Sequence, residues 1–157
     1  MNKKNWKTYL IWILIAEVVG GISGLLSMEG IRLYSEIIRQ PPLSPPQFLF
    51  PIVWGILYAL MGFSAARVYL APHSRTRQTG LNLFIAQLII NFFWSLIFFN
   101  AQAFGFAFLW ILLLWVLVLA MILTFRKVDP LAAWLQIPYL LWLSFAAYLN
   151  FGVWLLN

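Results

Sequence analysis

The chain is 157 residues long, 64% hydrophobic, 18% aromatic and only 9% charged. Soluble domains are about a quarter charged, and one this short cannot bury so much apolar surface, so a bilayer must solvate most of it. Ten basic and four acidic residues give a net charge of +6, but the basic residues sit in short loops, where they read as topology signals rather than a nucleic-acid surface. The absence of cysteine excludes disulfides, thiolate chemistry and cysteine metal sites, and the single histidine, His73, argues against a histidine metal centre.

Five apolar stretches follow in order, at 8–27, 47–70, 80–100, 104–125 and 131–156, each long enough for the roughly 20 residues of a spanning helix. They predict an all-α membrane protein, a bundle of five transmembrane helices forming one domain over residues 1–157, with no internal repeat or long polar linker. Lys3 and Lys4 ahead of the first stretch give it the look of a signal peptide, but its length and Glu17 mark it as a retained helix. Residues 28–46 form the longest loop, amphipathic and rich in proline, and are the natural lid. Pro41, Pro42, Pro45 and Pro46 precede the second span. Pro72 and Gly80 flank the next loop, and Asp129-Pro130 opens the fifth span. Pro138 lies inside that span, removes the hydrogen bond to the carbonyl of Trp134 and predicts a kink there.

Counting Lys and Arg on alternate sides sets the orientation. Lys3, Lys4, Lys7, Arg67, Arg75, Arg77, Arg126 and Lys127 fall on one face, and only Arg32 and Arg39 on the other. Eight against two predicts a cytoplasmic N-terminus, with the lid and the C-terminus outside.

Polar groups inside the spans are the functional candidates. Glu17 sits near the middle of the first span, where an ionisable side chain costs ~2.5–3.5 kcal/mol on insertion scales. It shares a face with Gly20 and Gly24, spaced as a packing stripe that points at protein. One reading makes Glu17 a hydrogen-bonded anchor between helices; the other gives it a catalytic or proton-relay task. The third span carries Gln87, Asn91 and Ser95 at four-residue intervals, with Trp94 beside Asn91. The fifth carries Trp142, Ala146 and Asn150, with Tyr139 one turn earlier, and the second carries Trp54, Tyr58 and Gly62. Such faces turn inward, because lipid offers an amide no partner. Singly they read equally as interhelical hydrogen bonding, but together they suggest a lined cavity. Of the nine tryptophans, Trp6, Trp12, Trp134 and Trp154 fall near predicted helix ends and suit an interfacial belt, whereas Trp94, Trp110, Trp115 and Trp142 are too central for one.

The run Tyr34…Pro42-Leu43-Ser44-Pro45-Pro46, then Phe50-Pro51-Ile52-Val53-Trp54…Leu57-Tyr58-Ala59-Leu60-Met61-Gly62, closely resembles the signature of the TspO/MBR family of translocator and tryptophan-rich sensory proteins, once called peripheral benzodiazepine receptors. So do Gln87-Leu88…Asn91…Trp94…Phe98-Phe99 and Pro138-Tyr139-Leu140…Trp142…Phe145-Ala146…Leu149-Asn150…Trp154…Asn157, so that the resemblance runs through nearly the whole chain. It implies five spans, a homodimer, and a pocket closed by the first loop that binds porphyrins, related tetrapyrroles and drug-like ligands. By position, it implies a pocket lined by Trp54, Tyr58, Asn91, Trp94, Phe98, Trp142 and Ala146, with Tyr34 and Pro45 from the lid. Leu33 and Leu43 stand where many members have tryptophan. The sterol pattern of some animal members, an aliphatic residue followed by tyrosine and then a basic residue, is broken after Leu149, where neither follows.

The short N-terminus without a transit-like extension suits a bacterial plasma membrane better than the mitochondrial outer membrane. Three functions stay open. The first is a receptor for protoporphyrin IX or a related tetrapyrrole, with no required cofactor and with Arg32 or Arg39 meeting the propionates. The second is light-driven oxidative breakdown of bound porphyrin, with Trp54 and Trp142 as the photochemical candidates and no nucleophile–base pair. The third is porphyrin or sterol transport, against which stands the lack of half-repeats and broken-helix pairs.

Overall fold

The computed structural model describes residues 3–157, and among them there is helix, turn and loop but no strand. Five helical spans are long and apolar enough to cross a membrane, so the chain is an all-α, multi-pass membrane protein. The first is α1, Trp6–Leu26. It is followed by a short helix α2, Met28–Ile37, and by the second span α3, Leu49–Leu70. The third span joins α4, Arg75–Ser95, to a five-residue π turn, Leu96–Asn100. The fourth is α5, Phe104–Val128, and the fifth is assembled from α6, Pro130–Trp134, and α7, Ile137–Leu156.

Local chemistry explains the boundaries. Ser74 caps α4 by accepting the Arg77 N–H at 3.0 Å. Asp129 caps α6 through the N–H groups of Leu131 and Ala132, with Pro130 in the first turn, where a missing donor costs nothing. Arg126 and Lys127 close the last turn of α5, where cations offset the helix dipole. Arg77 folds back to the Tyr69 carbonyl, tying the α3–α4 hairpin together.

Two elements differ from the sequence expectation. The lid region is not a plain loop: residues 28–37 are helical, supported by Arg32 pairing with Glu29 and Glu36 at helical spacing. The kink expected within the fifth span is a full break at Leu135 and Gln136, with Pro138 in the first turn of a new helix. Gln136 N–H bonds back to Ala133, and the next ladder starts with Leu140 N–H on Gln136 O.

Helix packing comes down to small residues at close crossings. α1 packs chiefly on α3, and α5 on α4 and α7. A methyl group at Gly62 would fall 2.4 Å from Ile13 Cα and 2.6 Å from the Trp12 carbonyl, so this glycine sets the α1–α3 spacing. Gly20 does the same one level on, against the Tyr58 ring. The expected Gly20–Gly24 stripe is therefore not one seam, because nothing lies within 4 Å of a Cβ placed at Gly24. The Trp54–Tyr58–Gly62 stripe splits as well, with Gly62 serving the helix crossing. Trp12, expected in a belt, instead packs on Tyr69 and Phe84 at the edge of the core. Trp6, Trp134 and Trp154 are exposed on the bundle surface. Trp110 and Trp115 staple α5 to its neighbours through Ile90 O at 2.7 Å and Ser144 Oγ at 2.9 Å.

Candidate functional site

One cavity of about 610 Å³ lies within the bundle under the lid, a size that accommodates a drug-sized ligand. All nine pocket residues implied by position line it. Trp54 and Tyr58 come from α3, Asn91 and Trp94 from α4, and Phe98 from the π turn. Trp142 and Ala146 come from α7, and Tyr34 and Pro45 from the lid. Glu17 lines it too, from α1. Span α5 contributes nothing to the wall; it buttresses α4 and α7 from behind.

The walls are paired aromatic rings. Trp54 stacks on Tyr58 with centroids 5.5 Å apart, and Trp94 on Phe98 at 5.0 Å. Phe50 meets Trp142 edge-on at 5.8 Å. These are the offset and edge geometries that ring quadrupoles favour, and each ring holds the next in place. The result is a set of fixed, flat, apolar faces.

The polar groups fall into three sets. At the base, the Tyr58 hydroxyl donates to Asn91 Oδ1 at 2.8 Å. Asn91 Nδ2 donates to the Tyr139 hydroxyl at 2.6 Å, which donates in turn to Gln87 Oε1 at 2.7 Å. All four side chains are buried, so the chain satisfies groups that hydrocarbon would leave stranded. Gln87 and Tyr139 thus lie beneath the cavity and hold up its floor. Higher up, Trp94 Nε1 donates to Asn150 Oδ1 at 3.1 Å, and Asn150 Nδ2 to the Phe104 carbonyl at 2.8 Å. The third set is unspent: the buried Trp142 Nε1 has no partner among the described residues. Glu17 has no hydrogen bond or ion pair among them either, so it does not tie α1 to another helix.

The lid is held from two sides. Tyr34 wedges against Phe98 and Phe99, and burial pushes its phenol up to about 12, keeping it a neutral donor. A Cβ at Gly30 would come within 2.6 Å of the Phe99 backbone, so α2 lies directly on the π turn. Asn100 Nδ2 donates to the Leu26 carbonyl at 2.8 Å, fixing the hinge before α2. From α7, Asn157 accepts the Arg39 N–H at 3.1 Å and donates to the Arg39 carbonyl at 2.8 Å. The Tyr148 hydroxyl donates to the Pro42 carbonyl at 2.9 Å.

Arg32 is paired with Glu29 and Glu36, and neither it nor Arg39 lines the cavity itself. Leu33 and Leu43 do not line it either. Leu43 is 80% exposed with φ at 68°, a left-handed turn position facing away from the site. Sequence reasoning missed Phe50, Phe99, Gln40 and Gln47, which also line the wall. Phe50 lay in the quoted signature, four residues before Trp54, and that helical spacing was the available signal.

Comparison with known proteins places the sequence among relatives. The chain is 38% identical over 128 residues to the translocator protein of Ovis aries, covering 80% of this chain and 75% of that one. It is 35% identical over 144 residues to Protein CrtK of Rhodobacter capsulatus, covering 91% and 89%. It is 35% identical over 158 aligned residues to the tryptophan-rich protein TspO of Chlorobaculum tepidum, covering 100% and 99%. The model of the TspO/MBR family matches residues 9–155. Spanning helices, aromatic cavity and sequence matches lead to one assignment: the chain belongs to the TspO/MBR family.

Proposed function

We propose that the protein is a membrane receptor that binds flat hydrophobic ligands, protoporphyrin-like tetrapyrroles first among them, inside the helix bundle. The observation that carries this is the convergence of aromatic faces from three spans and the lid on one covered cavity of about 610 Å³. A planar macrocycle would slot between the Trp54–Tyr58 and Trp94–Phe98 stacks, with Trp142 at its edge. Its propionates would lie toward Ser35, Gln40 and Gln47 on the lid side. The names of two relatives, tryptophan-rich sensory protein and translocator protein, are compatible with ligand recognition in a membrane.

Titration of the purified protein in detergent with protoporphyrin IX tests this in the dark. Saturable quenching of tryptophan emission is expected, weakened by Trp142→Phe about threefold to tenfold. Quenching that never saturates would mean that the porphyrin merely partitions into detergent, and the reading would fall. A second reading, photochemical breakdown of the ligand, is favoured by Trp54 and Trp142 both lining the cavity. Under illumination it predicts that Trp54→Phe or Trp142→Phe slows porphyrin loss more than it weakens binding. Equal losses would leave the receptor reading alone.

We also infer a bacterial plasma membrane, supported by the near-complete coverage of the Chlorobaculum and Rhodobacter relatives. By the charge count, the lid faces outward. Alkaline phosphatase fused after Asn157 should be active and the same enzyme fused at the N-terminus silent. The reverse pattern overturns this orientation.

A further inference from the structure

Among the described residues, the cavity holds one carboxyl group and no group paired with it. The chain has four acidic residues, and three are matched: Glu29 and Glu36 with Arg32, and Asp129 with Arg67 at 2.9 Å. Glu17 alone has neither ion pair nor hydrogen bond among the described residues. Among the described residues, no lysine, arginine or histidine lines the cavity, and the other ionisable groups there are the phenols of Tyr34 and Tyr58. Glu17 is only half-buried, but an ionisable group in mid-span is costly unless it has a task.

The surroundings say what the missing partner is. Beside Glu17, the α1 wall is stripped of side chains: a Cβ at Gly21 or Gly24 would meet nothing within 4 Å. A ligand can therefore come flat against α1 at that depth. Across the cavity stand Trp54, Trp94 and Trp142, and aromatic faces attract cations through their ring quadrupoles. The unpartnered Trp142 Nε1 is neutral and buried, so it does not match the charge of Glu17.

We propose that the cavity selects flat aromatic ligands carrying a protonated amine or quaternary ammonium group, with Glu17 as their counter-charge. This rests on the reading of the cavity as a ligand site and adds a charge preference to it. The arrangement is an aromatic box with one acidic wall. A tetrapyrrole fits it best with its carboxylates kept up at the lid.

The test uses one ring with three charges: 9-(aminomethyl)anthracene, 9-methylanthracene and anthracene-9-carboxylate, titrated in nonionic detergent beside protoporphyrin IX. The amine should bind about tenfold or more tighter than the carboxylate, and Glu17→Gln should narrow that gap to about threefold or less. The wild-type series alone can overturn the proposal, whatever the variant does to folding. Equal affinity for amine and carboxylate sinks it while leaving the receptor reading intact. So does a preference for the amine that survives Glu17→Gln, or protoporphyrin IX binding with no amine binding. If neither the anthracenes nor protoporphyrin IX bind saturably, the receptor reading itself fails and takes this inference with it.

Discussion

Gly62→Ala is expected to lower the thermal unfolding midpoint of the purified protein sharply. The added methyl would sit 2.4 Å from Ile13 Cα, with Ile13 N and Trp12 O at 2.6 Å. Those atoms are backbone and cannot swing aside, so α1 and α3 must part by about 1 Å to restore ordinary contact. In a bilayer, helix association depends on close packing, since lipid is as apolar as the helices themselves. Overpacking of this kind costs about 1–3 kcal/mol. The damage extends to the site, because Tyr58 lies one turn from Gly62 and packs on Gly20 across the same crossing. Gly21→Ala and Gly24→Ala are the controls. They face open space within α1, where alanine suits a helix better than glycine, so their midpoints should not fall below that of wild type. If Gly62→Ala behaves like these two, the α1–α3 crossing is looser than described.

Asn91→Leu is expected to be the most damaging change at the cavity floor. It strands the Tyr58 hydroxyl without its acceptor and takes from Tyr139 the donor that holds it. A buried polar group left unsatisfied costs about 1–3 kcal/mol, and here two groups are affected. The signature lies in the combination. Tyr58→Phe added to Asn91→Leu removes one stranded hydroxyl, so the double variant should be less destabilised than the sum of the single changes. Denaturation of the four proteins in one detergent measures this directly, and strictly additive costs would show that the two side chains are not coupled.

Composition made the five spans legible, since stretches of apolar residues admit few alternatives in so short a chain. The cavity residues were legible for a related reason. Helical spacing shows which face is polar, and polar faces in a membrane turn inward, as Asn91, Trp94 and Asn150 do. Spacing does not say which neighbour a face meets. Gly62 shares a stripe with Trp54 and Tyr58, yet it serves the α1 crossing, because the register between two helices is a property of both. Gly20 and Gly24 show the same limit: their spacing suits a packing seam, but only Gly20 has a helix opposite it. Trp12 lay close enough to a predicted helix end to suggest a belt, and only tertiary placement sets it against Phe84. Pro138 announced a disturbance without its extent, since a kink and a break both follow from one missing hydrogen bond. The helix within the lid was hidden by its brevity, for ten amphipathic residues look alike whether they coil or wander.

The π turn at Leu96–Asn100 has a consequence of its own. Its hydrogen bond from Ala101 N–H to Leu96 O, at 3.0 Å, encloses one residue more than an α turn does. Deleting a single residue there would let the third span wind as ordinary helix and swing Asn100 round by about 100°. Its amide would leave the Leu26 carbonyl, and the Phe99 backbone would no longer lie beneath Gly30. The seat of the lid is thus written as a surplus residue in the winding of a neighbouring helix, a matter of counting that no exchange of side chains can reproduce.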